Sequence, residues 1–214
     1  MFLLPALLLT AALVEGHPAT IERRLHNGVG AKPAMGWNTW NSGLPPTAAN
    51  ALAQAHAFVS LGLKDLGYTY VNMDDTWSQK TRSSSGQLVP NPTYFPNGIK
   101  NLTDQIHALG LRFGLYGDSG TATCSGFPGS AGYEKVDAAT LAAWGVDYWK
   151  YDNCNVAVSG NSSVRYSTMR DALLAQSHPI LYSLCNWGAD AVWTWGVGVG
   201  NSWRYVEVSK DRRK

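Results

Sequence analysis

Short apolar runs that finish on polar residues alternate along this chain with segments whose apolar positions recur every three or four residues. The runs read as buried strands of a parallel sheet, and the periodic segments read as helices that cover it. Strands are expected over 32–41, 68–75, 111–118, 146–152 and 180–187, with a sixth beginning over 202–206. The spacing predicts helices over 50–66, 99–109, 136–144 and 164–177, and a short one over 189–195. In the first helix, Leu52, Ala55, His56, Val59, Leu63 and Leu66 define the apolar stripe, and Gly67 ends it. His56 reads as a packed helix residue, because no second His or Cys stands at metal spacing. At least five strand–helix alternations argue for parallel βαβ units, either closed as a barrel or opened as a doubly wound sheet.

The strand tips carry the candidate chemistry. Residues 144–154 read WGVDYWKYDNC, an apolar run that delivers Asp152 at its far end, where parallel sheets gather their ligands. Lys150 and Asp152 stand two apart and face the same side, so the lysine is expected to help hold the carboxylate ionised. Taken alone, Asp152-Asn153 also fits a turn that closes a strand. The other tips are Trp37 and Trp40, the pair Asp74 and Asp75, the YGD of 116–118, and the CNWG of 185–188. A polar loop over 78–98 is long enough to imply a functional role. The glycine-rich stretch up to Gly132 has neither GK[ST] nor G-x-G-x-x-G, which argues against a phosphate loop.

Composition narrows the partners. Nine Trp and ten Tyr among 214 residues, with 15% charged residues and a net charge of +2, suit a carbohydrate site and give no reason to invoke nucleic acid. Residues 1–19 have the form of a secretory signal peptide, with an apolar stretch from Phe2 to Val14 and expected cleavage near Gly16 or Ala19. A secreted mature protein with no membrane span follows, and Asn101 and Asn161 head glycosylation sequons. Three cysteines suit an oxidising compartment; on sequence alone all three can be unpaired buried thiols.

Taken in order, MGWNTWN (35–41), YVNMDD (70–75), CSGFPGS (124–130) and WKYDNC (149–154) resemble the α-galactosidases, or melibiases, of glycoside hydrolase family 27. The resemblance implies a (β/α)8 TIM barrel over 26–206, truncated after about five and a half βα units, because the chain is shorter than the roughly 250 residues typical of that fold. It implies a retaining hydrolase releasing terminal α-linked galactose from oligosaccharides or galactomannans, without cofactor or metal. Asp152 is then the nucleophile. Trp40, Asp74, Asp75, Tyr116, Lys150, Cys185, Asn186 and Arg204 fall at sugar-contacting positions, and Cys124 pairs with Cys154.

The pattern departs at the end. Where family members continue from NSWR to Gly-Asp-Ile, whose Asp is the acid/base, Val208 occupies the acidic position. Glu207 is a poor substitute, since a shift of one residue along a strand reverses the face. Residues 207–214 form a divergent charged tail, expected from a retained intron or a mispredicted gene end, and Val208-Ser209 is compatible with an intron-donor codon pair. Two alternatives accompany the leading reading: a catalytically inactive truncated galactose-binding fragment, and an α-N-acetylgalactosaminidase.

Overall fold

The computed structural model describes residues 25–156 and 160–205; the expected signal peptide and the Glu207 and Val208 positions lie outside them. Six strands form one parallel sheet in sequence order: β1 (Met35–Asn38), β2 (Tyr68–Asn72), β3 (Arg112–Asp118), β4 (Tyr148–Asp152), β5 (Leu181–Leu184) and β6 (Ser202–Trp203). Between them run α1 (Ala48–Ser60), α2 (Gly98–Ala108), α3 (Glu134–Ala143), α4 (Ser162–Leu174) and the one-turn α5 (Gly196–Val199). Each strand pairs with the next, and α1 packs on α2, α3 on α4 and α4 on α5, so the units curl as the arc of a barrel. The doubly wound alternative would require helices on both faces and a reversal of strand order.

The two faces of the arc differ. Trp149 and Tyr151 of β4 are fully buried under the helices, where Tyr151 meets Tyr166 of α4 edge-on at 5.3 Å and Tyr182 of β5 at 5.7 Å. The alternate residues Tyr148, Lys150 and Asp152 point to the concave face. Close approach of the layers depends on glycine: a Cβ on Gly117 would lie 2.0 Å from the Trp149 ring, and one on Gly36 would lie 2.0 Å from the Tyr70 carbonyl oxygen.

The first helix departs from its expected stripe. Its buried face is Ala51, Ala55 and Phe58, whereas His56, Val59 and Leu66 are exposed. Helical backbone stops at Ser60, six residues early, because the chain unwinds into turns in which Gly62 and Gly67 take left-handed φ of 72° and 96°. Small alanines at the seam let the helix lie close to β2, which an apolar-periodicity count does not weigh. Thr47 caps this helix by accepting from the Asn50 amide at 3.2 Å. Thr47→Ala is expected to cost about 1 kcal/mol, read as a lower urea midpoint with unchanged slope.

An N-terminal segment ties β1 to the far side of the arc. Asn27 and Asn201 exchange side-chain amide bonds, with Asn27 also donating to the Ile180 carbonyl at 2.9 Å and Asn201 to the Val29 carbonyl at 3.1 Å. The Leu25 amide donates to the Val197 carbonyl at 2.9 Å. None of the described helices is long and apolar enough to cross a membrane.

Candidate active site

The carboxyl ends of β2, β3 and β4 converge around Asp152. Register pairing sets Tyr116 opposite Lys150 and Asp118 opposite Asp152, so the tips of β3 and β4 stand level. Asp152 is 6% exposed and is oriented from two sides: the Tyr116 hydroxyl donates to Oδ2 at 3.0 Å, and the Trp187 indole N–H donates to Oδ1 at 2.9 Å. The Asn153 amide donates to the same Oδ1 at 3.0 Å. Three donors therefore fix the orientation of both carboxyl oxygens. Burial, followed by the charges of Asp152, Asp75 and Asp118, pushes the Tyr116 phenol well above its ordinary range and keeps it a donor.

Lys150 shares the concave face with Asp152, and its nearest anion is a different carboxylate. Its ammonium lies 2.7 Å from Asp74 Oδ2, because Asp74, at the tip of β2, reaches across the concave face to it. Burial lowers the Lys150 pKa, but Asp74, with smaller contributions from Cys185 and Asp152, outweighs it and leaves the group raised and charged. Lys150 therefore acts on Asp152 as a weaker, through-space charge. The same ammonium sits 5.0 Å from the Tyr116 ring centroid and 5.7 Å from that of Trp40, whose side chain is 61% exposed.

Asp75 turns away from Lys150: its Oδ1 accepts from the Thr76 amide at 2.7 Å and its Oδ2 from the Ser125 amide at 2.9 Å, which anchors the disulfide loop to β2. Cys124 and Cys154 form a disulfide with Cα atoms 5.1 Å apart. A sulfur of that bridge lies 3.7 Å from Asp152 Oδ2 and has no proton to donate. Asp118, Cys124, Asp152 and Cys154 crowd within 4.8 Å of one another, but two of these four atoms are spent in the S–S bond, so the cluster does not make a metal site.

Cys185 is a buried thiol at the end of β5, 3.4 Å from the Arg204 guanidinium; burial and then the Asp152 charge push it up to about 12, so it stays protonated. Asn186 is fully buried and spends its amide within its own loop, donating to the Ala189 carbonyl at 2.8 Å and accepting from the Gly188 amide at 3.3 Å. The expected site residues thus gather into one region: Trp40, Asp74, Tyr116, Lys150 and Asp152 interact directly, and Cys185 and Arg204 flank them. Asn101 and Asn161 stand apart on exposed helix positions, with Asn161 capping α4 through the Ser163 amide.

Trp187 is the contact that the sequence reading missed. Its φ of 61° is unusual for a bulky residue and swings the indole back over β4. The only sequence signal was a Trp beside Asn and Gly at a strand tip, which does not reveal a left-handed turn.

A carboxylate held by a phenol and an indole at the fourth strand tip, on an arc of sequential parallel βα units, defines part of a barrel of the TIM type with its polar cluster at the strand tips. The model of the family described as Alpha galactosidase A (Melibiase_2) matches residues 48–205, and the chain belongs to that family. It is 43% identical over 242 residues to the probable alpha-galactosidase B of Penicillium simplicissimum, covering 94% of this chain and 55% of that protein. It is 49% identical to alpha-galactosidase mel1 of Schizosaccharomyces pombe, covering 84% of this chain and 42% of the relative. Among solved structures, alpha-galactosidase I from Mortierella vinacea superposes with a TM-score of 0.80 at 48% identity, over 83% of this chain and 46% of that one. A Saccharomyces cerevisiae alpha-galactosidase with raffinose gives a TM-score of 0.80 at 43% identity, over 83% and 40%. The chain thus spans about half the length of the relatives it matches.

Proposed function

We propose that this chain carries the nucleophilic half of a secreted retaining α-galactosidase, acting on terminal α-linked galactose. One observation carries the reading: Asp152 is oriented by two neutral donors rather than neutralised by a cation, at the tip of β4 and next to the Lys150–Asp74 pair. In a retaining mechanism such a carboxylate attacks the anomeric carbon, while a second carboxyl group protonates the leaving oxygen. The galactose hydroxyls are read onto Asp74, Asp75, Lys150, Tyr116, Asn186 and Arg204, with Cys185 beside them and the exposed Trp40 face packing on the ring. None of the other described acids at these tips is placed to protonate the leaving group: Asp74 is paired with Lys150, Asp75 accepts backbone amides, and Asp118 is completely buried.

A p-nitrophenyl α-galactoside bypasses much of the need for that second group, because its leaving group departs with little protonation. The chain, purified after secretion, is expected to release a burst approaching one p-nitrophenolate per chain, followed by slow turnover, and to gain the mass of one galactosyl group. The absence of both burst and mass shift would sink this reading.

A further inference from the structure

We propose that Asp118 is a positioning residue for Asp152, seating the tip of β4 through the backbone amide of Cys154. This rests on the nucleophile reading above. Asp118 shares its strand face with Tyr116 and stands level with Asp152, but it is 0% exposed and both of its carboxyl oxygens accept backbone amides, so it has no part in holding the sugar. Its Oδ1 accepts from the Gly120 amide at 2.8 Å, and its Oδ2 accepts from the Cys154 amide at 3.0 Å, two residues beyond the nucleophile. One carboxyl group therefore fastens the loop after β3 to the loop after β4, at the point where the regular ladder between those strands stops.

The surrounding contacts are built for this link. The Ser119 amide donates to the Asp152 carbonyl at 2.9 Å, and the Thr121 amide donates to the Asn155 carbonyl at 3.2 Å. Gly120 lets the two loops touch: a Cβ there would fall 2.0 Å from the Cys154 carbonyl oxygen and 2.5 Å from that of Asn155. The Cys124–Cys154 bridge closes the other side of the same loop. Asp152 is thus set at its main chain by the Asp118 assembly and at its side chain by Tyr116 and Trp187.

The link has a charge-dependent consequence. Burial pushes the Asp118 carboxyl up to about 8, against the two backbone amides that lower it, with Asp152 and Asp75 adding further upward pressure. Asp75 faces it from the tip of β2, Tyr116 from its own strand, Tyr151 and Asp152 from β4, and Tyr166 from α4; the disulfide sulfurs do not titrate. Below that range Asp152 has a neutral neighbour. Above it, a second anion lies within 4.8 Å of the Asp152 carboxylate and repels that side chain, while the Gly120 and Cys154 amides hold the charged Asp118 more tightly.

The test uses a galactose-configured epoxide on the full chain. The Asp152 carboxylate oxygen forms a C–O bond to the epoxide carbon, the epoxide C–O bond breaks, and the released oxygen takes a proton from water. Asp118→Asn is expected to slow this ester formation by about ten-fold while galactose affinity, read by thermal shift, stays within about two-fold. Wild-type labelling is expected to fall as pH rises through about 8, whereas labelling of the variant stays flat. A variant that labels at the wild-type rate with the same alkaline decline overturns the proposal. If the variant fails to fold, a flat wild-type profile across that range overturns it instead. A wild-type chain that binds galactose but forms no ester sinks the nucleophile reading alone. Hydrogen exchange, compared between the wild-type chain and Asp118→Asn at one pH, then decides the positioning role: lost protection over 152–155 in the variant supports it, and unchanged protection overturns it.

Discussion

Asp152→Asn is expected to form galactosyl-enzyme at no more than about a thousandth of the wild-type rate, with folding intact. The substitution keeps the side-chain shape and removes the charge that attacks the anomeric carbon. It also inverts one hydrogen bond. Tyr116 and Trp187 each aim a donor at a different oxygen of Asp152, so the new NH2 group must face one of them. That mismatch costs about 1 kcal/mol in stability and leaves the fold in place. Stopped-flow release of p-nitrophenolate, with intact-mass detection of the adduct, separates the outcomes. A variant that still shows the burst and the adduct removes Asp152 from the reaction.

The second large effect is on stability. Arg82, in the loop after β2, is 10% exposed at its side chain and binds Asp137 of α3 through both guanidinium ends, at 2.6 and 2.8 Å. It also donates to the Gly86 carbonyl at 2.7 Å and the Gly129 carbonyl at 2.6 Å, and lies 4.1 Å above the Tyr133 ring. One side chain therefore joins the long loop, the disulfide loop and α3. Arg82→Ala is expected to cost about 3–5 kcal/mol, since it strands a fully buried carboxylate. Burial already raises the Asp137 pKa even with Arg82 present, so in the variant the carboxyl binds a proton in the folded state that the unfolded chain has released. Stability is then retained at acid pH and lost as pH rises, and the deficit is larger at about pH 7.5 than at about pH 4.5. Urea denaturation at the two values checks this; a deficit below about 1 kcal/mol, or one independent of pH, contradicts it. Arg82→Lys restores little, because an ammonium cannot span both oxygens and the two carbonyls.

Both predictions draw on different amounts of sequence information. The strand at 146–152 and its acidic tip were visible in WKYDNC, because an apolar run with a terminal carboxylate has one natural placement in a parallel sheet. The carboxylate that pairs with Lys150 was not legible, for a physical reason. Spacing along a strand reports shared facing, but the nearest anion, Asp74, comes from two strands away across the curvature of the arc. Trp187 was hidden because its role depends on a left-handed backbone that its own residue type disfavours. Arg82 was hidden in a polar loop, where nothing in SSSGQLVPNP or its neighbours announces a buried cation. The bridge between Cys124 and Cys154 came from the family resemblance and is present in the structure.

The Asn27–Asn201 latch bears on how the chain is made. Its partners stand 174 residues apart, and the bond from Asn27 to the Ile180 carbonyl spans 153. At synthesis rates of about 5–20 residues per second, Asn27 leaves the ribosome roughly ten to thirty seconds before Asn201 exists to meet it. The segment that leads into β1 must therefore wait unpaired while the middle strands assemble. Its closure is a late folding event that depends on the polypeptide having been read past β5, so the segment that leads into the first strand is among the last to be secured.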